Sequence, residues 1–204
     1  MAISFPVTLP ITTRGATEIT IAPHSVTGVS QSPFTGEQQV YVHQGEFWTL
    51  ELRLGQMNRA DGEEWIGALL SLNGQEGTFL VGDPMGAAPR GTWSGSVLVN
   101  GGSQSGKTLV IDGMSAGATW KRGDWFQLGS GASTRLHKIT ADGTANGSGQ
   151  GTIDFWPRLR ASPADNAPLT LTSTVGIWRL TRGVPWTMQD VKYGGIVVQA
   201  VEAL

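Results

Sequence analysis

Residues 101–108 read GGSQSGKT, which fits the phosphate-loop pattern G-x-x-x-x-G-K-[ST]. In such a loop the lysine, here Lys107, contacts the phosphates, and the backbone amides open a helix whose N-terminus holds them. The residues after Lys107 are instead TLVIDG, a β-branched run ended by glycine. Asp112 follows Lys107 too closely to be the magnesium-binding aspartate of another element. The sequence therefore favours a hairpin tip, with a nucleotide site as the weaker alternative.

Residues 113–117 read GMSAG and fit the pattern G-x-S-x-G of a nucleophilic serine. That serine must lie on a sharp turn from a strand into a helix. The next residues, ATWKRGDW, have no helical apolar face, and His137 is the only histidine downstream that could act as a base. Ser115 is therefore expected in a turn, without a catalytic role.

The remaining metal-binding or acid–base candidates are the three histidines, His24, His43 and His137. No two of them are close in sequence, and none has a carboxylate at a metal-binding spacing. The chain has no cysteine, which excludes disulfides and thiolate metal sites. We expect no catalytic, cofactor-binding or metal-binding residues, no cofactor, and no enzymatic activity.

Eight tryptophans are many for 204 residues. Most occur at inward-facing positions of predicted strands or of the predicted helix, so packing in the core is the default interpretation. Trp120, Trp156 and Trp186 lie beside turn residues. Exposed there, they would form a subunit interface or stack on sugar rings, and the interface is favoured because aromatic residues are enriched in interface cores.

Composition limits the possible partners. The formal net charge of -2 argues against a general or sequence-specific nucleic-acid binder, which needs a basic surface. Only 15% of the residues are charged, which suggests a surface partly covered by neighbouring molecules. The N-terminus lacks the pattern of a secretory signal, and no run reaches the roughly 18 apolar residues of a membrane span. We expect a soluble protein made in the cytosol, with no membrane partner.

Residues 46–84 predict a strand, a helix and a second strand, and they organise the rest of the chain. Trp48, Leu50, Leu52 and Leu54 alternate with polar residues, as in a half-buried strand. A helix is predicted over residues 61–72, with Asp61 as N-cap, Glu64 as its capping-box partner, and Asn73-Gly74 as the stop. Residues 78–81 form the next predicted strand. A helix with one broad apolar side must lie on a sheet.

Short strands separated by turn residues make up most of the remaining sequence. Residues 18–22 and 38–43 are predicted strands, and the second is expected to form a hairpin with the Trp48 strand through a turn at Gly45. Strands at close spacing over residues 93–171 suggest a small sandwich or barrel. The last apolar run, residues 195–201, is expected to return to the sheet of residues 1–84. The middle would then be an insertion, and two consecutive domains are the alternative.

The order of these motifs resembles a family of phage structural proteins. SPFTGEQQVYVHQGEFWTLELRLGQM, a helix ending in LLSLNGQEGTFLVGDP, and then PRG resemble the distal tail (baseplate hub) proteins of long-tailed bacteriophages. KRGDWFQLGS, TRLHKITADGTANGSGQGTIDFWPRLR and the final VVQAVEAL resemble the β module and C-terminus of such viral tail proteins. The resemblance covers most of the chain and involves no catalytic signature.

The resemblance implies a split β-barrel belt domain, here residues 1–88 and 178–204, and a second small β-barrel or sandwich module, here residues 89–177. It implies a virion protein at the phage tail tip, forming a homo-oligomeric, usually hexameric, ring. The ring joins the tail tube protein to hub, tip, and fibre or receptor-binding proteins. The belt is expected to supply the contacts between subunits. The alternative function is a carbohydrate- or receptor-binding module of the tail tip, with Trp120 or Trp156 reading the glycan.

Overall fold

The computed structural model describes residues 3–11 and 15–204. Strands account for 44% of the chain and helix for 10%, which confirms the predicted all-β fold with one short helix. The described residues form one α-helix, α1 (Arg59–Ser71), and sixteen strands. The strands are β1 (Val7–Thr8), β2 (Glu18–Gln31), β3 (Gln38–Arg53), β4 (Phe79–Val81), β5 (Gly95–Val99), β6 (Thr108–Met114), β7 (Thr119–Trp120), β8 (Trp125–Leu128), β9 (Arg135–Ile139), β10 (Gly143–Thr144), β11 (Gly151–Trp156), β12 (Leu169–Thr170), β13 (Gly176–Leu180), β14 (Thr187–Gln189), β15 (Lys192–Gly194) and β16 (Val197–Glu202).

The first sheet has six strands in the order β1-β4-β13-β16-β3-β2 and is nearly closed, like a barrel. β1 pairs with β4 in parallel, and the other neighbours are antiparallel. The final strand, β16, lies between β13 and β3. The end of the chain therefore returns to the sheet that contains β1 to β4, as the sequence predicts.

The second sheet has the order β12-β8-β9-β11-β6-β5 and is formed only by strands between β4 and β13 in the sequence. It has a separate apolar core that includes Val99, Ile111, Phe126 and Ile153. The predicted boundary after residue 177 falls within β13, because Gly176 and Ile177 already pair with β4. Two-stranded ribbons, β7 with β10 and β14 with β15, complete the fold.

Alternation along the last residues of β3 and into Leu54 places apolar side chains in the core of the first sheet. Trp48, Leu50, Leu52 and Leu54 are all buried there, together with Trp65 of α1. This arrangement follows from the two-residue period of a strand, which puts alternate side chains on one face. The predicted strand and the apolar face of the helix are both present.

The predicted start of the helix is wrong by one turn. Asn58, in an extended conformation, is the N-cap, and its side-chain oxygen accepts a hydrogen bond of 2.9 Å from the Asp61 amide. Asp61 therefore lies inside the first turn, where its negative charge favours the helix N-terminus, and Glu64 has no capping role. The predicted stop is confirmed, since Asn73 and Gly74 have φ of 50° and 68° after the helix.

The predicted turn at Gly45 is also wrong, because β3 runs without interruption through this residue. The turn that reverses the chain lies at residues 32–37, and β2 and β3 pair along their whole length as one long hairpin. The pairing register shifts between Ser25, opposite Glu46, and Thr27, opposite Val42, so the three β3 residues 43–45 bulge opposite Val26 alone. A Cβ on Gly45 would lie 2.9 Å from Val26 Cγ2, so glycine in the bulge leaves room for the valine side chain.

Candidate functional site

The segment with the phosphate-loop pattern connects β5 to β6, two strands of one sheet, and no phosphate-binding helix follows Lys107. The Gln104 side chain holds the tip by donating to the carbonyls of Asn100 and Gly101 and accepting from the Val110 amide. The Gly101 amide donates to Asp165 Oδ1 at 2.7 Å, and Lys107 forms an ion pair with buried Glu46. Two groups that would hold a phosphate in a true loop, the Gly101 amide and the Lys107 ammonium, are therefore engaged by carboxylates here.

Ser115 lies in a turn, as expected. Its amide donates to the Ser94 carbonyl, and its own carbonyl accepts from the Ala118 amide. His137 is buried in β9, where its ring contacts Phe126 and Phe155 and its Nδ1 lies 2.8 Å from the Pro157 carbonyl. Burial lowers the pKa of His137 from 6.5 to about 4. The structure therefore places the serine in an exposed turn and the histidine in a core.

The other two histidines lie on the long hairpin. His24 in β2 stacks against Phe47 with ring centroids 4.4 Å apart, and His43 is exposed on β3. Over residues 3–11 and 15–204, no group of three or more histidine, cysteine or carboxylate side chains is arranged to hold a metal ion.

The three tryptophans singled out beside turns have different environments. Trp120 is buried against Trp93 in the second core, so it does not form the exposed glycan-reading position that the sequence suggested. A Cβ on Gly143 would lie 2.2 Å from the Trp120 ring, so this glycine leaves the space that the indole fills. Trp186 is 39% exposed near the end of α1. Trp156 is half-buried in a groove between the two sheets.

A cluster of aromatic rings joins the two sheets. Trp48 of β3 packs edge-on against Trp156 with ring centroids 4.3 Å apart, and it also contacts Trp125 at 5.2 Å. The Trp48 indole donates a hydrogen bond of 3.0 Å to the Leu136 carbonyl of β9. Trp125 and Leu136 belong to the second sheet in sequence but pack in the core of the first. The sheets therefore share a continuous apolar contact.

Two buried carboxylates reinforce this contact, which we call the joint and define by Glu46, Trp48, Trp125, Trp156 and Glu202. Glu46 pairs with Lys107 and accepts a hydrogen bond from the Arg158 amide. Glu202 pairs with Arg160 at 2.9 Å and accepts from the Trp48 amide. Both carboxylates were missed by the sequence reasoning, because their partners are more than 40 residues away along the chain.

A groove of about 540 Å³ opens beside the joint. We call it the tryptophan groove and define it by six of its residues: Pro23, Ser25, Trp48, Arg122, Lys138 and Trp156. Neither cation forms an ion pair with any carboxylate of the described residues. Burial lowers the pKa of Lys138, although Asp83 nearby acts in the opposite direction. The groove thus combines aromatic surface with two cations that have carboxylates nearby but form no close ion pair among the described residues.

A separate cavity of about 630 Å³ lies on the other side of β9 and is lined in part by Arg135, His137 and Arg160. His137 Nε2 and Arg160 Nε are buried there without a hydrogen-bond partner among the described residues. Buried water is the ordinary partner for such atoms in proteins.

The outer half of the β2–β3 hairpin, residues 24–45, projects beyond the first sheet, and we call it the arm. β16 pairs with β3 only from Thr49 to Arg53, so within the described residues the arm strands pair only with each other. Nearly every arm residue is exposed, including several apolar ones. The exposed apolar side chains are Val26, Val29, Phe34, Val40, Tyr41 and Val42.

No model of a known protein family matches the chain, and no curated protein is significantly similar to it. Among the described residues, no helix has the length and apolar character needed to cross a membrane.

Proposed function

We propose that this protein is a structural virion subunit that forms a ring at the distal end of a long phage tail. The ring would join the tail tube to the hub, tip and receptor-binding proteins. The resemblance in motif order supports this proposal, as does the nearly closed first sheet with a single helix. No nucleotide or nucleophile geometry competes with it at residues 101–108 or at Ser115.

The observation that carries the proposal is the arm. An isolated two-stranded hairpin is at best marginally stable in water, and unpaired strand edges are open to pairing with another chain. Phe34 is 96% exposed and Val42 is 71% exposed, so the arm presents apolar side chains with no cover from its own chain. If the arm of one copy contacts a different surface of the next, the interface is heterologous and closes into a ring when the rotation allows it.

Mass photometry of the purified chain tests the ring directly. The wild-type protein is expected to form a closed oligomer, and Val42→Asp is expected to convert it to a folded monomer. Val110→Asp is the matched control, because Val110 is also an exposed strand valine, on β6 of the second sheet. A monomeric wild type would contradict the proposal, as would equal effects of the two substitutions.

The expectation that the belt residues supply the ring contacts stays a prediction. Removing residues 89–177 is a poor test of it, because that deletion takes Trp125 and Leu136 out of the core of the first sheet. Comparing Val42→Asp with Val110→Asp keeps both sheets and also tests whether the belt residues supply the ring contacts. On phage particles that carry the protein, gold-labelled antibodies should mark the tail end farthest from the capsid, and labelling elsewhere would contradict the location.

A carbohydrate- or receptor-binding role at the tail tip is the second candidate function. The tryptophan groove favours it, with Trp156 and not Trp120 as the exposed aromatic residue.

A further inference from the structure

We infer that the tryptophan groove binds an anionic saccharide unit, stacked on Trp156 and held by Arg122 and Lys138. This inference goes beyond the structural role and does not depend on ring formation. It assigns a ligand class to a groove at the joint between the two sheets.

Strand register fixes the aromatic and cationic groups of the groove next to each other. Lys138 of β9 is the direct cross-strand partner of Trp156 on one side and of Trp125 on the other. Directly opposite residues point to the same face of a sheet. The Lys138 ammonium lies over the Trp125 ring at 4.0 Å from its centroid. The site is therefore formed on rigid strands.

The charged residues that line the groove are positive, which favours an anionic ligand. No acidic residue lines it, although the chain as a whole has a net charge of -2. The nearest acidic groups are already engaged: Asp142 accepts from the Arg122 amide and pairs with Lys121, and Asp83 accepts from the Trp125 indole at 3.0 Å. An anion beside Lys138 would favour the charged form that burial disfavours.

The uncharged groups of the groove suit a sugar ring. Trp156 offers an indole that is only half-buried, and Pro23 and Trp48 add apolar surface. Ser25 and Thr140 supply hydroxyl groups that both donate and accept hydrogen bonds. A volume of about 540 Å³ is within the usual range of small-ligand sites.

The backbone of the groove argues against an acidic peptide as its ligand. Peptides commonly bind by adding a strand to a sheet edge, which requires free main-chain groups. Pro23 has no amide hydrogen, and the amides of Ile139 and Thr140 already donate to the carbonyls of Asp124 and Asp154. Recognition must therefore come from side chains, which is how saccharide rings are bound.

Calorimetric titration of the full chain with three saccharides tests the inference. The probes are an oligogalacturonate, a neutral galactose oligosaccharide of equal length, and a hexose phosphate, which separate carboxylate from phosphate as the source of charge. At least one anionic probe is expected to bind about tenfold or more tightly than the neutral one, the effect of a single charge-assisted contact. Binding of none of the three, or equal binding of all, would overturn the inference.

Substitutions in the tryptophan groove test whether the saccharide binds there. Arg122→Gln is expected to weaken binding of the anionic probe roughly tenfold. Arg182→Gln, at an exposed arginine in the bend after β13, is the matched control and should leave that binding unchanged. Trp156→Ala should abolish binding and Trp156→Phe should retain part of it, with thermal unfolding used to confirm that each variant is folded. Loss of binding in Arg182→Gln would refute a saccharide site here. So would a poly-glutamate peptide that binds as tightly as the saccharide and whose affinity is unchanged by Trp156→Ala.

Discussion

The joint and the arm differ in the exposure of their apolar strand residues. At the joint, Trp48 is 5% exposed and contacts side chains from both sheets. On the arm, the same strand β3 carries Val42 at 71% exposure. One end of a single strand is thus buried within its own chain, and the other presents similar chemistry to solvent. This difference is the reason we propose that the arm contacts another molecule.

The largest expected effect comes from removing the aromatic centre of the joint. Trp48→Ala should lower the free energy of unfolding by about 3–5 kcal/mol, the usual cost of truncating a buried tryptophan. Urea denaturation measures this change. Trp186→Ala is the control, since Trp186 is 39% exposed and should cost much less. Equal losses for the two variants would mean that Trp48 has no special role in coupling the sheets.

The buried ion pair of the joint should be the next most sensitive feature. Glu202→Leu leaves Arg160 largely buried without its partner, which typically costs about 3–5 kcal/mol in the free energy of unfolding. Adding Arg160→Met should recover part of this loss, because the unpaired charge is then removed. Glu18→Leu, which breaks an exposed pair with Arg53, should cost less than about 1 kcal/mol. A double variant less stable than Glu202→Leu would contradict this account.

Acidic pH should destabilise the segment that carries Arg158 and Arg160, which bind the joint carboxylates Glu46 and Glu202. His137 is bonded to Pro157, next to Arg158 and Arg160, and burial lowers its pKa from 6.5 to about 4. The unfolded chain therefore binds a proton that the folded chain does not, so stability falls as pH decreases from 6.5 towards 4. The full effect is about 3 kcal/mol, at roughly 1.4 kcal/mol per pKa unit.

Comparing wild type with His137→Phe isolates this effect from the titration of carboxylates. Urea unfolding at several pH values should show a shallower decline in the variant between pH 6.5 and 4. Phenylalanine suits the position because Phe126 and Phe155 surround it. Parallel declines in the two proteins would show that His137 does not contribute.

Local patterns predict the strands well where one face is buried. The alternation from Trp48 to Leu54 and the apolar run of β16 identify their strands, because a period of two follows directly from strand geometry. The helix cap was misassigned because Asn58 and Asp61 both satisfy the local preference for a capping side chain. Only the backbone geometry of the folded chain decides between them.

The candidate sites depend on contacts that no local pattern encodes. Trp120 and Trp156 both stand beside turns, yet Trp120 is buried because Gly143 leaves space for it in another strand. The tryptophan groove requires the register that pairs Trp156 with Lys138. The turn predicted at Gly45 is wrong for the same reason, since only the pairing of β2 with β3 shows that Gly45 belongs to a bulge opposite Val26.

The smallest expected effect tests whether the arm is independent of the joint. Gly45→Ala places a Cβ 2.9 Å from Val26 Cγ2, and overpacking of this kind costs about 1 kcal/mol or more. Because the contact lies in the arm, amide hydrogen exchange should become faster there, while the free energy of global unfolding changes by less than about 0.5 kcal/mol. Monomeric Val42→Asp is the background for this measurement, so that assembly does not protect the arm.

In a Val26→Ala background, Gly45→Ala should have the opposite effect on hydrogen exchange in the arm. With the valine methyl groups gone, the Cβ of Gly45→Ala meets only the residue 26 Cβ, at 3.4 Å, which is an ordinary contact. Alanine also reduces the conformational entropy of the unfolded chain relative to glycine. The double variant should therefore exchange its arm amides more slowly than Val26→Ala alone. Faster exchange in both backgrounds would mean that Gly45 is required by the backbone itself. A change in global unfolding would show that arm and joint fold as one unit.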